Sequence, residues 1–323
     1  MRKMRALYIS QSCSANLAPG DHKGRAVVNI AANTKAAIDY QICTYPGSRL
    51  RFRGPARSLG GPYISVLGGS EAFGKFVERP FADLLEARVK QPVANFGVMQ
   101  AGLTLFLDDP VILKAASAGR LTIIQILGAQ NMSNRFYSVH PRRNDRFLVA
   151  SETLQALYPG LDFTEFNFTG HLLATLEDRG GAAFDQVVAE LRTAWVHRMV
   201  RLLQTIQGDC LLLWMAERAP DSAAMSISDG DPLFVDRPML DALLPHASGL
   251  VEVVASRRAM DEGLSARGYL PGEEAAALAL PGPRFHAEAA DALADAILGA
   301  EFSEPYRTTS APFVFRSSGT GGA

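Results

Sequence analysis

The sequence predicts an α/β fold, a three-layer α/β/α sandwich around a mostly parallel, five-stranded sheet. Short apolar runs alternate along the chain with longer segments of helical periodicity, which is the element order of a layered α/β domain. These runs are apolar throughout, as in strands buried on both faces of a parallel sheet. The chain has 323 residues, 48% of them hydrophobic, so it is long enough to bury a large core.

Five compact runs are the strand candidates. In chain order they are YISVL (63–67), VANF (93–96), LTIIQIL (121–127), CLLLWMA (210–216) and LVEVVA (250–255). Such compact apolar runs suit strands that are buried on both faces of a parallel sheet.

Helical periodicity is clearest in three segments. ERPFADLLEARV follows the first strand, and FDQVVAELRTAWVHRMVRLLQTI precedes the fourth. The second of these carries apolar residues at three- and four-residue steps, which predicts one long amphipathic helix. HAEAADALADAIL, near the end of the chain, is rich in alanine, the strongest helix former.

The chain is expected to divide into an arm, one domain and a tail. Residues 1–60 include the Gly/Pro/Arg-rich run TYPGSRLRFRGPARSLGGP, which predicts an N-terminal arm that packs on the domain. The α/β domain itself is expected over residues 61–302. The tail, 303–323, ends in a Ser/Gly run and is expected to be partly disordered.

Composition argues against several classes of protein. Lys plus Arg is 32 and Asp plus Glu is 33, a net charge of −1, so no general attraction to nucleic acid or acidic membranes is expected. No apolar run approaches the roughly 20 residues that span a bilayer. The first residues are too polar for a signal-peptide core, and three widely spaced cysteines indicate reduced thiols. A cytoplasmic protein without a membrane span is predicted.

The sequence gives no indication of a metal or cofactor. It contains no H-E-x-x-H motif, no paired His and no Asp cluster with ligand spacing. The run GGSEAFG lacks the G-x-G-x-x-G spacing of dinucleotide folds and the G-K-[ST] of P-loops.

Small and polar residues follow the first three strands. Strand one ends in LGGSEAFG with Ser70, strand two in NFGVMQAG with Gly97 and Gly102, and strand three in LGAQN with Gln130 and Asn131. Loops after parallel strands gather at the same edge of a sheet. Acyl transfer needs a hydroxyl nucleophile and N–H donors for the oxyanion, and these loops carry both. The alternative for Ser70 is a turn serine that caps the next helix.

This arrangement resembles the SGNH hydrolase superfamily, the GDSL esterases and lipases, over roughly residues 60–300. In that family a Ser follows strand one, a Gly strand two and an Asn strand three, and a His precedes the last helix, where RFHAEAADALADAI here carries His286. The resemblance implies Ser70 as nucleophile and His286 as base. The oxyanion donors it implies are the Ser70 amide, a glycine amide at Gly97 or Gly102, and Gln130 or Asn131. The whole chain also resembles an uncharacterised bacterial family that carries NRFYSVHPRRNDRF.

Two blocks depart from the family pattern. G-x-N-D has become Gly-Ala-Gln-Asn at 128–131, so Gln130 and Asn131 are both candidate donors. D-x-x-H has become Pro-Arg-Phe-His at 283–286, so a backbone carbonyl, Asp261 or Glu262 would have to orient the imidazole. His140 is the rival base.

The run NRFYSVHPRRNDRF after strand three is arginine-rich. One interpretation is a solvated loop with Arg–Asp pairs. The other is a substrate clamp in which Arg135, His140, Arg142 and Arg143 hold a carboxylate, sulfate or phosphate, because guanidinium groups suit such oxyanions. The position after strand three favours the clamp.

The sequence therefore predicts an SGNH-like acyl hydrolase or acyltransferase that acts on a hydroxylated, anionic polar substrate of the carbohydrate type. Two alternatives stay open: a sulfuryl or phosphoryl transferase with an arginine-rich anion site, and an SGNH-fold binding protein without turnover. The expected partner is a small molecule or carbohydrate and not a nucleic acid. The oligomeric state stays open, with a homo-oligomer as one option.

Overall fold

The computed structural model describes residues 38–301 and 313–316. Its strands are β1 (Ile64–Leu67), β2 (Val93–Asn95), β3 (Leu121–Gln125), β4 (Tyr137–His140), β5 (Arg143–Ala150), β6 (Cys210–Ala216), β7 (Gly249–Val254) and β8 (Phe313–Arg316).

The helices connect these strands and cover the sheet. They are α1 (Ser70–Phe73), α2 (Phe81–Val89), α3 (Leu103–Leu107), α4 (Pro110–Ala118), α5 (Glu152–Leu157), α6 (Thr169–Arg179), α7 (Gly181–Thr205), α8 (Arg237–Asp241), α9 (Arg257–Met260), α10 (Glu274–Leu278) and α11 (Pro283–Glu301). Short 3-10 helices cover Phe163–Glu165, Ile227–Asp229 and Leu244–His246. Over the described ranges, no helix is both long enough and apolar enough to cross a bilayer.

A single parallel sheet of six strands, in the order β2–β1–β3–β6–β7–β8, forms the middle layer. The five predicted strands are present where the apolar runs lie. The sixth strand, β8, comes from the tail, part of which was expected to be disordered. Gly249 makes room for it, because a Cβ there would lie 2.7 Å from the Phe313 ring. The remainder of the tail, 303–312 and 317–323, and residue 302 of the predicted domain lie outside the described residues.

Each face of the sheet is covered by helices, which confirms the three-layer sandwich. On one face, Trp195 of α7 belongs to a buried cluster with Leu212 of β6. On the other, Phe81 of α2 and Leu293 of α11 belong to a second cluster with Val251 of β7. The predicted apolar stripe of α7 is its buried side.

Residues 38–60 lie against the domain. Cys43 and Phe52 form an antiparallel bridge, and the rings of Tyr45 and Phe52 lie 5.1 and 5.4 Å from the ring of Phe96. The buried Arg53 donates to the Gly74 carbonyl at 2.7 Å. Residues 1–37 of the predicted arm lie outside the described residues, and the boundaries at 60 and 302 stay predictions.

The arginine-rich run forms an antiparallel hairpin of β4 and β5 rather than a loop. Tyr137, Val139 and Phe147 are buried, whereas Arg142 and Arg143, at the turn and directly after it, are exposed. Apolar positions that alternate with polar ones are sufficient for a half-buried strand. The arginines concealed this alternation in the sequence.

Candidate functional site

The strand order places the candidate site between β1 and β3. From β1 the chain goes to β2 on one side and then to β3 on the other. In open parallel sheets, ligands bind beyond the carboxyl ends of the strands at such a switch point. The two loops there, 68–71 after β1 and 126–131 after β3, are here called the loop cluster.

Ser70 opens α1 at the carboxyl end of β1. Its Oγ does not cap that helix but accepts a hydrogen bond from the Gln100 amide at 3.1 Å. The Ser70 amide donates to no other residue in the described part of the chain. Ser70 is only 6% exposed. The turn after β2, where Gln100 has a left-handed φ of 57°, largely covers it.

Gln125 of β3 holds the glycine turn that precedes Ser70. Its Oε1 accepts from the amides of Gly69 at 2.9 Å and Ala72 at 3.2 Å. A Cβ on Gly68 would lie 2.4 Å from that oxygen, so only glycine fits there. Because these amides already have an acceptor inside the protein, the turn does not form a phosphate cradle.

The two glycines after β2 are required for close packing. A Cβ on Gly97 would lie 2.4 Å from the Phe73 nitrogen, and one on Gly102 would lie 1.7 Å from the Asn131 oxygen. Their amides already donate within the protein, Gly97 to Asn95 Oδ1 at 2.9 Å and Gly102 to Asn144 Oδ1 at 2.8 Å. In this structure neither amide is available to an oxyanion. The amide that donates to Ser70 Oγ is that of Gln100.

The two carboxamides after β3 point to different partners. Asn131 is 7% exposed, and its Oδ1 accepts from Thr169 Oγ1 at 2.7 Å. Gln130 Nε2 lies 3.5 Å from Asp231 Oδ1. That either one donates to an oxyanion stays a prediction.

His286 lies in the interface of α11 and α2, and its bonding does not fit a general base. It is 1% exposed, and its Nδ1 accepts from the Phe81 amide at 3.1 Å. The neutral ring therefore carries its proton on Nε2, which is buried and has no partner among the described residues. Burial lowers the pKa of His286 to about 3, and the charges of Arg53 and Arg267 lower it further.

The two predicted acids do not orient His286 either. Glu262 Oε2 accepts from the Arg284 amide at 3.1 Å, and Asp261 pairs with Arg257 at 3.8 Å. In the described structure, no hydrogen bond joins Ser70 to an imidazole.

His140, the rival base, has its Nδ1 engaged as well. That atom accepts from the amides of Arg142 and Arg143, both at 3.2 Å. The imidazole thus shapes the turn of the hairpin, and its neutral form carries the proton on Nε2.

Two carboxylates that the sequence analysis did not single out belong to this region. Glu71 follows Ser70, and its Oε2 accepts from Gln125 Nε2 at 3.0 Å. Burial raises the pKa of Glu71; the Gln125 hydrogen bond opposes this rise, and the charge of Asp231 adds to it. Desolvation of its carboxyl group also raises the pKa of Asp231, although the residue as a whole is exposed. In the sequence, only its position next to Ser70 could have indicated a role for Glu71. Nothing in the sequence could have indicated one for Asp231.

The arginines of the predicted clamp differ in whether they already form an ion pair. Arg135 pairs with Glu190 at 3.6 Å. Arg142 and Arg143 are exposed at the hairpin turn and form no ion pair with the described residues. The hairpin is tied to the loop after β2 because Asn144 accepts from the Gly102 amide at 2.8 Å.

A cavity of about 330 Å³ lies at the opposite, amino-terminal edge of the sheet. Its lining includes Asp209, His246 and Ser248. Ser248 Oγ donates to Asp209 Oδ1 at 2.8 Å, which joins the starts of β6 and β7. We assign this edge a structural role because ligands of parallel sheets bind at the carboxyl edge. Over the residues that the structure describes, no group of three or more His, Cys, Asp or Glu side chains could hold a metal ion.

A family model described as "Domain of unknown function (DUF6473)" matches residues 28–301. The chain belongs to this family. The DUF6473 match includes the loop cluster, the β4–β5 hairpin and α6. No curated protein sequence matches the chain.

Three solved structures illustrate what the chain is similar to. One is a lipase from a goat rumen metagenome, with 11% identity, 72% of this chain and 96% of that chain covered, and a TM-score of 0.39. A protein from Slackia heliotrinireducens assigned to the SGNH hydrolases has 16% identity, coverage of 74% and 100%, and a TM-score of 0.37. An α/β hydrolase from the metagenome of Lake Arreo has 18% identity, coverage of 74% and 94%, and a TM-score of 0.33. These low scores say nothing about activity, so the chemistry must be argued from the site.

Proposed function

We propose that the chain is a serine-dependent acyl hydrolase or acyltransferase of the SGNH type, acting on a hydroxylated, anionic small molecule of the carbohydrate type. The observation that carries the proposal is the position of Ser70 at the switch point, with its Oγ 3.1 Å from the Gln100 amide nitrogen. A hydrogen bond to Oγ favours the alkoxide over the hydroxyl. This hydrogen bond therefore favours ionisation of the Ser70 hydroxyl before substrate binds.

In the proposed reaction, Ser70 Oγ attacks the acyl carbonyl carbon of an ester. The Ser70 amide, which has no acceptor in the described structure, donates to the oxyanion that forms, and the Gln100 amide joins it as it releases Oγ. The ester C–O bond then breaks, and the leaving alcohol takes a proton. Water or an acceptor hydroxyl removes the acyl group from Ser70, which completes hydrolysis or transfer.

Glu71 replaces His286 as the proton acceptor in this proposal. Its raised pKa brings the carboxylate closer to the pH range in which a general base is effective. It takes the Ser70 proton directly or through one water and returns it to the leaving alcohol. Gln125 holds the carboxylate in place through the 3.0 Å hydrogen bond to Oε2.

A fluorophosphonate probe and an ester panel test the proposal. We expect covalent labelling of the chain and acyl release, both lost in Ser70→Ala and both kept in Ser58→Ala, a change at an exposed serine. No labelling of Ser70 together with no acyl release from any ester would contradict it.

A binding protein of the same fold without turnover is the second candidate. It is favoured by the low exposure of Ser70, 6%, and by the engaged Nδ1 atoms of His286 and His140. In that case a ligand would bind equally well to Ser70→Ala, and no acyl release would exist to be lost.

A further inference from the structure

The amino end of α6 (Thr169–Arg179) has unused hydrogen-bond donors. Its N-cap residue, Phe168, has no side chain that could cap the helix. The amides of Gly170 and His171 donate to no acceptor within the described ranges. The first amides of a helix, together with its dipole, attract anions. A helix end alone is common, so the neighbouring side chains decide whether this one is a site.

Asn131 brings a second donor to this helix end. The residue is 7% exposed, yet only its Oδ1 has a partner, Thr169 Oγ1 at 2.7 Å in the first turn of α6. Nδ2 belongs to the same planar carboxamide and therefore lies at the same turn. Its two hydrogens bond to no described residue. Nδ2 is the end of this carboxamide that reaches solvent, so it can donate to a ligand.

Arg146 of β5 brings a positive charge to the same place. Its backbone pairs with Phe168 in an antiparallel bridge, and its guanidinium lies 4.7 Å from the centroid of the Phe168 ring. Nε of Arg146 is buried without a partner in the described structure. A buried donor without an acceptor is costly, so an oxygen that accepted from Nε would stabilise this arrangement.

Charged side chains of β5 lie around this point. Asp145 is the nearby acid; its burial raises its pKa, whereas the charges of Arg143, Arg146 and His140 lower it. Two guanidinium groups thus face one carboxylate. His171, exposed in the first turn of α6, adds no negative charge.

We propose that Arg146, Asn131 Nδ2 and the first amides of α6 form a subsite for an oxyanion group of the substrate, a carboxylate, phosphate or sulfate. This inference rests on the proposed function, since Asn131 links the subsite to the loop cluster and to Ser70. It shifts the anion site from the exposed Arg142 and Arg143 to the half-buried Arg146 and the buried Asn131. A guanidinium fork and helix amides suit the oxygens of such a group.

Isothermal titration calorimetry with inorganic phosphate, sulfate and acetate, at constant ionic strength adjusted with chloride, tests the subsite. We expect saturable binding of at least one of the three anions. Arg146→Gln should weaken it about tenfold or more, and Arg146→Lys less, because Lys keeps the charge without the fork. Arg179→Gln, an equal change of charge at the other, exposed end of α6, should leave affinity unchanged.

Three results would overturn the subsite: no saturable binding of any of these anions, unchanged affinity in Arg146→Gln, or equal weakening in Arg179→Gln. Far-UV circular dichroism and thermal unfolding of each variant establish that it is folded, and Arg146→Lys serves if Arg146→Gln is not. The titration needs no turnover. Absence of Ser70 labelling with intact anion binding would therefore contradict the acyl chemistry alone. Labelling of Ser70 without anion binding would contradict the subsite alone.

Discussion

His286 occupies the sequence position of a catalytic base and serves the fold instead. Its Nδ1 accepts a hydrogen bond from the Phe81 amide at the start of α2. The first amides of a helix have no hydrogen-bond acceptor within the helix itself. Its ring stacks on Phe81 with centroids 6.0 Å apart. A His near the last helix was predictable from the sequence. The sequence could not predict which ring nitrogen accepts a hydrogen bond, because the donor is in α2, about 200 residues earlier in the chain.

The burial of His286 predicts how stability depends on pH. Its pKa is about 3 in the folded chain, against an ordinary value of 6.5. Between these values the unfolded chain binds more protons, so the free energy of unfolding rises with pH by up to about 1.4 kcal/mol per unit. This contribution is complete above about pH 6.5 and is lost as the pH falls towards 3.

Urea unfolding at several pH values between 4 and 7 measures this dependence. His286→Asn, which does not titrate, should show a smaller slope than the wild type. His197→Asn, a change at an exposed position of α7, should keep the wild-type slope. Identical slopes for His286→Asn and the wild type would mean that the imidazole is accessible or charged.

Glu71→Gln tests the proposed base. The amide cannot accept the Ser70 proton, so we expect kcat to fall by about 10²–10⁴. In the wild type, kcat/KM should fall as the pH drops through the pKa of Glu71, which lies above the ordinary value for Glu. Glu71→Gln should lose this acid limb. Glu78→Gln, at an exposed position, should keep both; an unchanged profile in Glu71→Gln would exclude Glu71 as the base.

At the scale of elements, glycine decides how the loop after β2 packs on the loop after β3. Gly102→Ala would place a Cβ 1.7 Å from the Asn131 oxygen, and backbone atoms cannot yield as a side chain can. We expect a loss of about 3 kcal/mol or more in the free energy of unfolding. Gly61→Ala, with no atom within 4 Å of the new Cβ, should change it by less than about 1 kcal/mol. Equal stability of the two variants in urea unfolding would contradict this packing.

The hairpin shows why one element was missed and others were not. The stripe of α7 is long and strictly periodic, and its buried side follows that stripe. In β4 and β5 the period is two, but a register shift at Val139 and two exposed arginines at and next to the turn break it. The hairpin is stabilised by tertiary packing of Tyr137 and Phe147, whose ring centroids lie 6.3 Å apart. A single sequence does not contain that contact.

At the scale of the whole molecule, the apolar runs were sufficient to predict the sheet but not its edge or its site. Strands buried on both faces must be apolar, so five of them were visible. β8 is an edge strand with only alternate residues half-buried, a pattern too short to separate from a coil. Glu71 and Asp231 lie far apart in the chain, and only the order of the strands brings them close enough for the charge of Asp231 to raise the pKa of Glu71.

The sheet order also predicts that displacement of β8 does not change the reactivity of Ser70. β8 lies at the edge, with β7, β6 and β3 between it and β1. Gly249→Ala places a Cβ 2.7 Å from the Phe313 ring and should displace β8, although Arg316 lies 3.5 Å from Glu252. Hydrogen exchange should then report faster exchange at 313–316, and Gly249→Ala/Phe313→Ala, which removes the clash, should restore slow exchange. Fluorophosphonate labelling of Ser70 should proceed at the wild-type rate in both variants; slower labelling would mean that the sheet edge and the loop cluster are coupled.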